Sequence, residues 1–500
     1  MNIIDKLNDI VGFINDNILW GIPMIIAILL TGMILSVRAR FLQVRKFGKV
    51  FTETIVPTFK KKEKKDKPKK AGNEKTISQF EAFSAALAGT VGTGNIVGVA
   101  SAMISGGPGA VFWMWVSAFF GLMTSFAENV LGNYFRKKDK DGNVSGGPMY
   151  YIENGLGKKW LALVFSACCL LAAIGMGMVQ TNSISGIIQN VVRVGSDKVI
   201  AVIVGIVVAV IIAIVIIGGI KRIGRFASMV IPFMAVLFIV MACSIIGINI
   251  TRVPHAFALI FKGAFSLRSV GGGLLGYTLM TAMRFGFARG IFSNEAGLGS
   301  GVIAQSTSET KEPVQQGLWG VFGVFFDTFI ICTLTALTLL CTNGSYFMNI
   351  SGNAGADASS VASSAFSGTF GLFGEIMFAI ILPLFAFTTI LAWSFYGEKA
   401  IEYLFGQKAG KTAGTVFKVL YVLLLVVGAI AKSDFVWSLD DMFNALMALP
   451  NLTALILLSG LVVKISKNYF ERKAGKDVLP MLSAYPERNR ELAARLDDED

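Results

Sequence analysis

Residues 87 to 98 read Leu-Ala-Gly-Thr-Val-Gly-Thr-Gly-Asn-Ile-Val-Gly and lie inside an apolar run from about Phe80 to Ile104. Gly89, Gly92, Gly94 and Gly98 fall in this stretch, and each interior Gly costs a helix about 1 kcal/mol relative to Ala. In hydrocarbon a break also strands backbone N–H and C=O groups. It persists only where protein covers it or where it lines a cavity. The chemistry on offer is binding by main-chain dipoles without formal charge, with the side-chain oxygens of Thr90, Thr93 and Asn95 beside them. The plainer reading is close packing of two helices through small residues. A phosphate loop is not supported: G-x-x-x-x-G-K-[ST] is absent, and the spacing Gly92-x-Gly94-x-x-x-Gly98 is not the dinucleotide fingerprint.

A second stretch repeats the pattern. Residues 285 to 301 read Phe-Gly-Phe-Ala-Arg-Gly-Ile-Phe-Ser-Asn-Glu-Ala-Gly-Leu-Gly-Ser-Gly, again with glycines interrupting an apolar segment and with Arg289 and Glu295 inside it. Polar side chains also stand in two other apolar runs. Gln180 and Asn182 occur in Met176-Gly-Met-Val-Gln-Thr-Asn-Ser183, and Thr388 and Thr389 in Phe385-Ala-Phe-Thr-Thr-Ile-Leu-Ala-Trp393. Each has an ordinary alternative, an interhelical hydrogen bond for the amides and a bond to the i−4 carbonyl for the threonines.

The elements that must position these residues are membrane spans. Apolar residues make up 54% of the chain, charged residues 15%, and the mean hydropathy is +0.64. A span needs about 20 apolar residues. Eleven candidates follow, near 18–37, 80–104, 110–135, 160–191, 199–219, 226–249, 271–304, 314–341, 371–397, 413–431 and 441–464. Residues 2 to 15 predict a short interfacial helix with Ile3, Leu7, Ile10, Val11 and Ile14 on one face. No basic n-region or small-residue cleavage site precedes the first span, so no removable signal peptide is expected. The five cysteines fall in apolar runs and imply buried small residues, with no disulfide framework.

The net charge of +13 gathers in loops, as membrane topology requires, and is no nucleic-acid footprint. The connector 38–79 carries eight lysines between Lys60 and Lys70 and is expected in the cytoplasm, near anionic lipid. That puts the N-terminus outside and makes Arg136 to Lys140, Lys221 to Arg225, Lys399 to Lys411 and the tail from Lys464 cytoplasmic, the tail as a polar appendage. The cell membrane is the expected location. Segment 342–370 has no Lys or Arg and lies on the outer side, as does 249–270 with its single histidine, His255, in a solvated loop.

With the first span set aside, one Gly-rich break lies in span one of the remaining ten and the other in span six. Breaks at matching positions of two halves are the sequence pointer to a transporter site. Five spans per half force opposite topology, hence a 5+5 inverted repeat, residues 80–249 and 271–465, after an extra helix in 1–37 and before the tail 466–500. The fold class expected is an all-α membrane protein with two discontinuous helices.

Four motifs then make the reading specific: Gly92-Thr-Gly-Asn-Ile-Val-Gly-Val-Ala100, Gly106-Gly-Pro-Gly-Ala-Val-Phe-Trp-Met-Trp115, Gly146-Gly-Pro-Met-Tyr-Tyr-Ile152 and Ser293-Asn-Glu-Ala-Gly-Leu-Gly-Ser300. In this order they resemble the alanine/glycine:cation symporter family, from about Ile18 to Ile465. The resemblance implies a leucine-transporter-type fold and Na⁺-driven uptake of small neutral amino acids such as alanine or glycine.

The resemblance also places a substrate between the breaks. It points to backbone groups at Thr93 and Gly94 with the Asn95 amide for a carboxylate, carbonyls around Phe287 and Gly290 for an ammonium, Gln180 as a polar contact, and Phe287 and Trp393 as pocket walls. A sodium ion is expected between Thr388 and Thr389 and the carbonyls of Gly89 and Gly92. Of the intramembrane charges Glu128, Arg284, Arg289, Glu295 and Asp327, a pair of Arg289 with Asp327 or Glu128 is expected, and Glu295 reads as a structural or gating group. A proton-driven carrier using Glu295 or Asp327 is the near rival and a channel a more distant one. An enzyme has little to build on, because no H-E-x-x-H spacing occurs.

Overall fold

The computed structural model describes residues 3–59, 76–139, 142–192, 196–265, 279–349 and 358–497. The basic run Lys60–Lys70, the start of the expected second repeat at 271–278 and the last three residues lie outside these. Among the described residues, eight helices are long and apolar enough to cross a membrane: Ala110–Tyr134, Lys159–Val192, Asp197–Ile216, Gly219–Ile248, Pro313–Thr342, Leu372–Gly406, Lys408–Ile430 and Ser433–Arg472. A ninth arises if Asn8–Leu19 and Ile22–Arg38, bent 45° to one another, are taken as one span. Gly406 at φ 69° separates two of the spans, a left-handed conformation that only glycine adopts freely.

Their outer surfaces explain the hydropathy. On Asp197–Ile216, Val199, Ile203, Ile206, Val210 and Ile214 are all exposed. They fall at steps of three and four and form one stripe. Keeping each such side chain in water forgoes about 1.5–3 kcal/mol of burial, so the stripe is stable only against lipid.

The two segments expected to be discontinuous are each helix, break and helix. Gln79–Thr90 and Val97–Gly106 flank the first, and Leu279–Asn294 and Gly301–Gln305 flank the second. Both pack among the long helices, and Ala88, Val91, Ile96, Phe292, Ala296 and Leu298 belong to one continuous apolar core.

The segment that follows the N-terminal helix Ile3–Ile14 is docked: Asn15 Nδ2 donates to Ser438 O at 2.7 Å and Trp20 Nε1 to Asp441 O at 2.9 Å, which ties it to Ser433–Arg472. Several expectations are corrected. The last span begins at Ser433 rather than near residue 441, which brings Asp440 and Asp441 into it. His255 is exposed but sits on the helix Val253–Ala264. Cys243 is exposed and Cys168 only half-buried. Arg136 is buried, not solvated, because it donates to the carbonyls of Ser308 at 2.7 Å and of Thr310.

The C-terminal segment is docked as well. Arg472 grips Glu312 with two bonds of 2.6 and 2.8 Å. Ala484 N–H donates to Tyr134 O at 3.0 Å and Tyr485 Oη to Phe135 O at 3.3 Å, and Leu482 and Leu492 are buried. These contacts tie residues 473–497 to the ends of two spans.

Candidate binding site at two facing helix breaks

The first broken helix starts at a capping box. Ser78 Oγ accepts from Glu81 N–H, and the Glu81 carboxylate accepts from Ser78 N–H. It stops at Thr90; Gly92 is extended, and Thr93–Asn95 makes a single 3₁₀ turn. Side chains capture the freed amides: Gly92 N–H donates to Asn95 Oδ1 at 2.9 Å and Thr93 N–H to Gln180 Oε1 at 3.3 Å. Thr93 Oγ1 is buried without a partner among the described residues. Gln180 therefore faces the break, whereas Asn182 donates to the carbonyls of Gly428 and Ala431 and joins two helices.

The second break falls at Glu295–Ser300. Glu295 sits at φ 54°, Gly297 at 102° and Gly299 at 77°. For a non-glycine residue the left-handed conformation costs about 1–2 kcal/mol. The side chain of Glu295 offsets this with two anchors: Trp393 Nε1 donates to Oε1 at 2.8 Å and Ser300 Oγ to Oε2. The unwound backbone is gripped from outside. Gly297 N–H donates to Glu128 Oε1 at 3.0 Å, and Asn451 Nδ2 bridges Glu128 Oε1 and Gly297 O at 2.7 and 2.9 Å. Tyr151 Oη donates to Asn451 Oδ1.

Asp327 joins the two breaks. It lies in the π-helical stretch Phe325–Cys332 and is fully buried. One oxygen accepts from Asn95 Nδ2 at 2.5 Å; the other accepts from Ser293 Oγ at 2.8 Å and Thr328 Oγ1 at 2.9 Å. Two further approaches close the interface. A Cβ on Gly94 would stand 2.9 Å from the Phe292 ring, and one on Gly89 would stand 2.7 Å from Tyr396 Oη and 3.3 Å from Glu295 Oε1. Both glycines are therefore required by contact.

The hydroxyl of Thr389 reaches the first break, donating to Ala88 O at 3.0 Å and lying 3.1 Å from Phe385 O. A Cβ on Gly92 would fall 2.4 Å from it. Thr388 is turned the other way, toward Phe385 O at 2.9 Å and Met234 Sδ at 3.8 Å. Oxygens are thus concentrated around Ala88, Gly92 and Thr389.

Phe287 and Gly290 lie inside the continuous helix Leu279–Asn294, ahead of the break. Phe287 is buried beside Trp113, with ring centroids 6.0 Å apart, and Gly290 packs on Met114 and Ser117. Phe292 is the aromatic that meets Gly94; nothing in the composition separates it from Phe287, and only the position of the break does. Trp393 is buried with its indole committed to Glu295. The expected pairing of Arg289 with Asp327 or Glu128 is corrected. Arg289 makes a two-bond ion pair with Asp441, at 3.0 and 3.1 Å, and its guanidinium lies over the Phe292 and Trp437 rings. Arg284 lies over Phe285. Adjacent acids at the edge of an apolar run were the available signal for Asp441.

Space is distributed unequally about the breaks. A cavity of about 770 Å³ is lined by Val97, Ser101, Asn182, Arg289, Trp437 and Asp441. On the other side a cavity of about 30 Å³, bounded by Leu87, Thr90, Glu128, Glu295 and Val302, is at the scale of a single water.

The chain is similar in sequence and fold to known proteins. The family model described as the sodium:alanine symporter family matches residues 4–481. The sodium/alanine symporter AgcS of Methanococcus maripaludis is 39% identical over 470 residues, covering 93% of this chain and 98% of that protein. From Bacillus subtilis, the putative sodium/proton-dependent alanine carrier protein YrbD is 38% identical, covering 91% of each chain, and the probable sodium/glutamine symporter GlnT is 37% identical, covering 94% and 92%. Among solved structures, MhsT in complex with L-phenylalanine matches with a TM-score of 0.57 at 14% identity, covering 84% of this chain and 96% of that one. A Na⁺-coupled sialic acid symporter matches with a TM-score of 0.52 at 13% identity, covering 97% and 96%. These two share the fold, which is of the leucine-transporter type.

Proposed function

The chain belongs to the sodium:alanine symporter family, and from that premise we propose that it carries alanine or glycine inward together with Na⁺ by alternating access. It is a multi-pass membrane protein whose relatives are transporters, not enzymes. The observation that carries the reading is the meeting of two helix breaks across Asp327. Such breaks leave main-chain dipoles facing one another inside the membrane, where positive N-terminal ends suit a carboxylate and free carbonyls suit a cation.

In this reading the amino acid lies between the breaks. Its carboxylate takes the amide of Gly94 and displaces Gln180 Oε1 from that of Thr93, with Asn95 holding that loop in shape. The Gln180 bond to Thr93 N–H supports that amide as a carboxylate donor. Its ammonium takes carbonyls at the end of Leu279–Asn294, beyond Phe287 and Gly290. Phe292 and Trp393 limit its size. One methyl group is worth only about 1–3 kcal/mol in such a pocket, so alanine and glycine are separated weakly and bulky side chains strongly. Na⁺ sits with Thr389, Ala88 O and the backbone at Gly89 and Gly92; the Thr389 bond to Ala88 O supports that position, and Thr388 orients the helix turn.

The two cavities suit one half of a transport cycle, open on the side of Val97 and closed on the side of Leu87. By the Lys and Arg distribution the open side is outer, the N-terminus is outside and the tail cytoplasmic. The eight long helices, the bent pair and the two broken segments make eleven crossings, one extra at the N-terminus and then a 5+5 inverted repeat. The test is uptake of labelled alanine and glycine into proteoliposomes under an inward Na⁺ gradient.

One observation favours a second reading. Glu128, Glu295 and Asp327 are buried, and their hydrogen bonds come from Gly297 N–H, Asn451, Trp393, Ser300, Asn95, Ser293 and Thr328, all neutral donors. A buried carboxyl with neutral partners is a place to carry a proton. Uptake driven by a pH gradient in Na⁺-free buffer would select it.

A further inference from the structure

The chain after the last span folds back onto the loop that leaves the second broken helix. That loop, residues 306–312, joins the short helix Gly301–Gln305 to Pro313–Val324. Arg136 holds its backbone, donating to Ser306 O at 3.4 Å, Ser308 O at 2.7 Å and Thr310 O. The tail meets this assembly at two places. Beside Arg136, Ala484 N–H and Tyr485 Oη donate to the carbonyls of Tyr134 and Phe135 at 3.0 and 3.3 Å, and Lys137 Nζ lies 5.9 Å from the centre of the Tyr485 ring. At the far end of the loop, Lys311 Nζ donates to Arg495 O in the helix Pro486–Asp497, next to the Glu312 pair with Arg472.

The tail has a fold of its own, fastened by Asn489. Its Oδ1 accepts from Leu482 N–H at 2.7 Å and Ser483 N–H at 3.0 Å, and its Nδ2 donates to Pro480 O at 3.0 Å. Asn468 on the last span takes Met481 N–H at 3.0 Å and gives its own N–H to Leu479 O at 2.8 Å. The grip is nonetheless shallow. Leu482 and Leu492 are buried, but Leu479 is 89% exposed. Two buried leucines offset only part of the entropy lost in ordering residues 473–497. Segments with so few buried apolar side chains open at a low free energy, well before the fold around them.

The loop under the tail leads directly to the closed side of the site. Gly301, Val302 and Gln305 line the small cavity together with Leu87 and Thr90. For that side to open, the short helix has to shift and carry 306–312 with it, out of the hold of Arg495 and Arg472. We propose that residues 473–497 form an autoinhibitory latch. Docked, they hold the loop 306–312 and slow the opening of the side lined by Leu87 and Val302; released, they let it open faster. The proposal rests on the alternating-access reading for what that opening accomplishes.

The test fixes the latch shut and then releases it, in the full-length chain in proteoliposomes. The bond from Ala484 N–H to Tyr134 O brings the two Cα atoms within about 7 Å, inside disulfide reach. Oxidising Tyr134→Cys with Ala484→Cys is expected to lower the alanine uptake rate at saturating Na⁺ about fivefold, with alanine affinity by calorimetry unchanged, and reduction to restore the rate. Each single variant controls for the five native cysteines. Leu482→Asp with Asn489→Ala should release the tail and raise the rate two- to threefold, again at unchanged affinity. This second variant decides if the cysteine pair does not bridge. A bridged protein that transports at its reduced rate, or a released one at the wild-type rate, would overturn the latch. Hydrogen exchange of residues 301–312, slower when bridged and faster when released, reads the latch without transport. If the wild type carries neither alanine nor glycine, the symport reading falls and that exchange still decides the latch.

Discussion

Asn95 gives its side-chain N–H to Asp327 Oδ1 at 2.5 Å while its own Oδ1 takes Gly92 N–H at 2.9 Å. One amide therefore shapes the first break and ties it to the carboxylate that also holds Ser293 at the end of the second broken helix. Substituting Asn95→Ala strands two buried groups, at about 1–3 kcal/mol each. The expected result is a fall of tenfold or more in alanine affinity by calorimetry, with the folded protein still recoverable. Wild-type affinity would remove Asn95 from the site.

The two adjacent threonines should separate cleanly. Thr389→Val removes the hydroxyl on Ala88 O, and the Na⁺ concentration for half-maximal uptake is expected to rise about tenfold, whereas Thr389→Ser restores it. Thr388→Val faces Met234 and should stay within about twofold. Equal effects of the two valine variants would contradict the geometry.

Gly89 and Tyr396 make a testable pair. A Cβ at Gly89 meets Tyr396 Oη at 2.7 Å, and that hydroxyl is buried without a partner among the described residues. Tyr396→Phe should therefore cost little in thermal stability, because a buried unpaired polar group is already unfavourable. Gly89→Ala should destabilise, and the double variant should recover part of the loss. No recovery would show that the clash lies elsewhere.

Trp393→Phe removes the bond to Glu295, which stabilises a left-handed residue at the second break, and leaves a void where the rest of the buried indole stood. Both melting temperature and amino-acid affinity are expected to fall. A fall in neither would leave Glu295 held by Ser300 alone.

The docked tail gives a pH dependence outside the membrane. Burial pushes the Tyr485 phenol from 10.0 up to about 12, and the neutral phenol donates to Phe135 O. A raised acid pKa means that the folded state favours the protonated form, so docking is unaffected below pH 10 and weakens as pH climbs toward 12. Protease cleavage within 473–497 should rise over that window. Arg472→Gln should raise it at neutral pH by removing the pair with Glu312.

Much of this was legible in the chain because the physics is local. Clustered glycines with polar neighbours in an apolar run pointed to a break, and both breaks lie inside the stretches expected. Gln180 was legible as an amide in an apolar helix. Charge pairing was not: Arg289 reaches Asp441, which lies 152 positions away, and no periodicity encodes such a meeting. The exact start of the second break also escaped, since the left-handed Glu295 is held by side chains distant in sequence or beyond the break, Trp393 and Ser300. That left Phe287, expected as a pocket wall, inside the helix and put Phe292 beside Gly94. The tail read as a free appendage because its few apolar anchors, Leu482 and Leu492 among them, are sparse in a polar sequence.

The most direct measurement is labelled-alanine uptake by the full-length chain in proteoliposomes, comparing an inward Na⁺ gradient with an equal K⁺ gradient and with a pH gradient lacking Na⁺. Concentrative uptake under the Na⁺ gradient alone, saturable and lost when Na⁺ is equal on both sides, is the expected result. Uptake indifferent to Na⁺, or none of alanine and glycine under any gradient, would contradict the account.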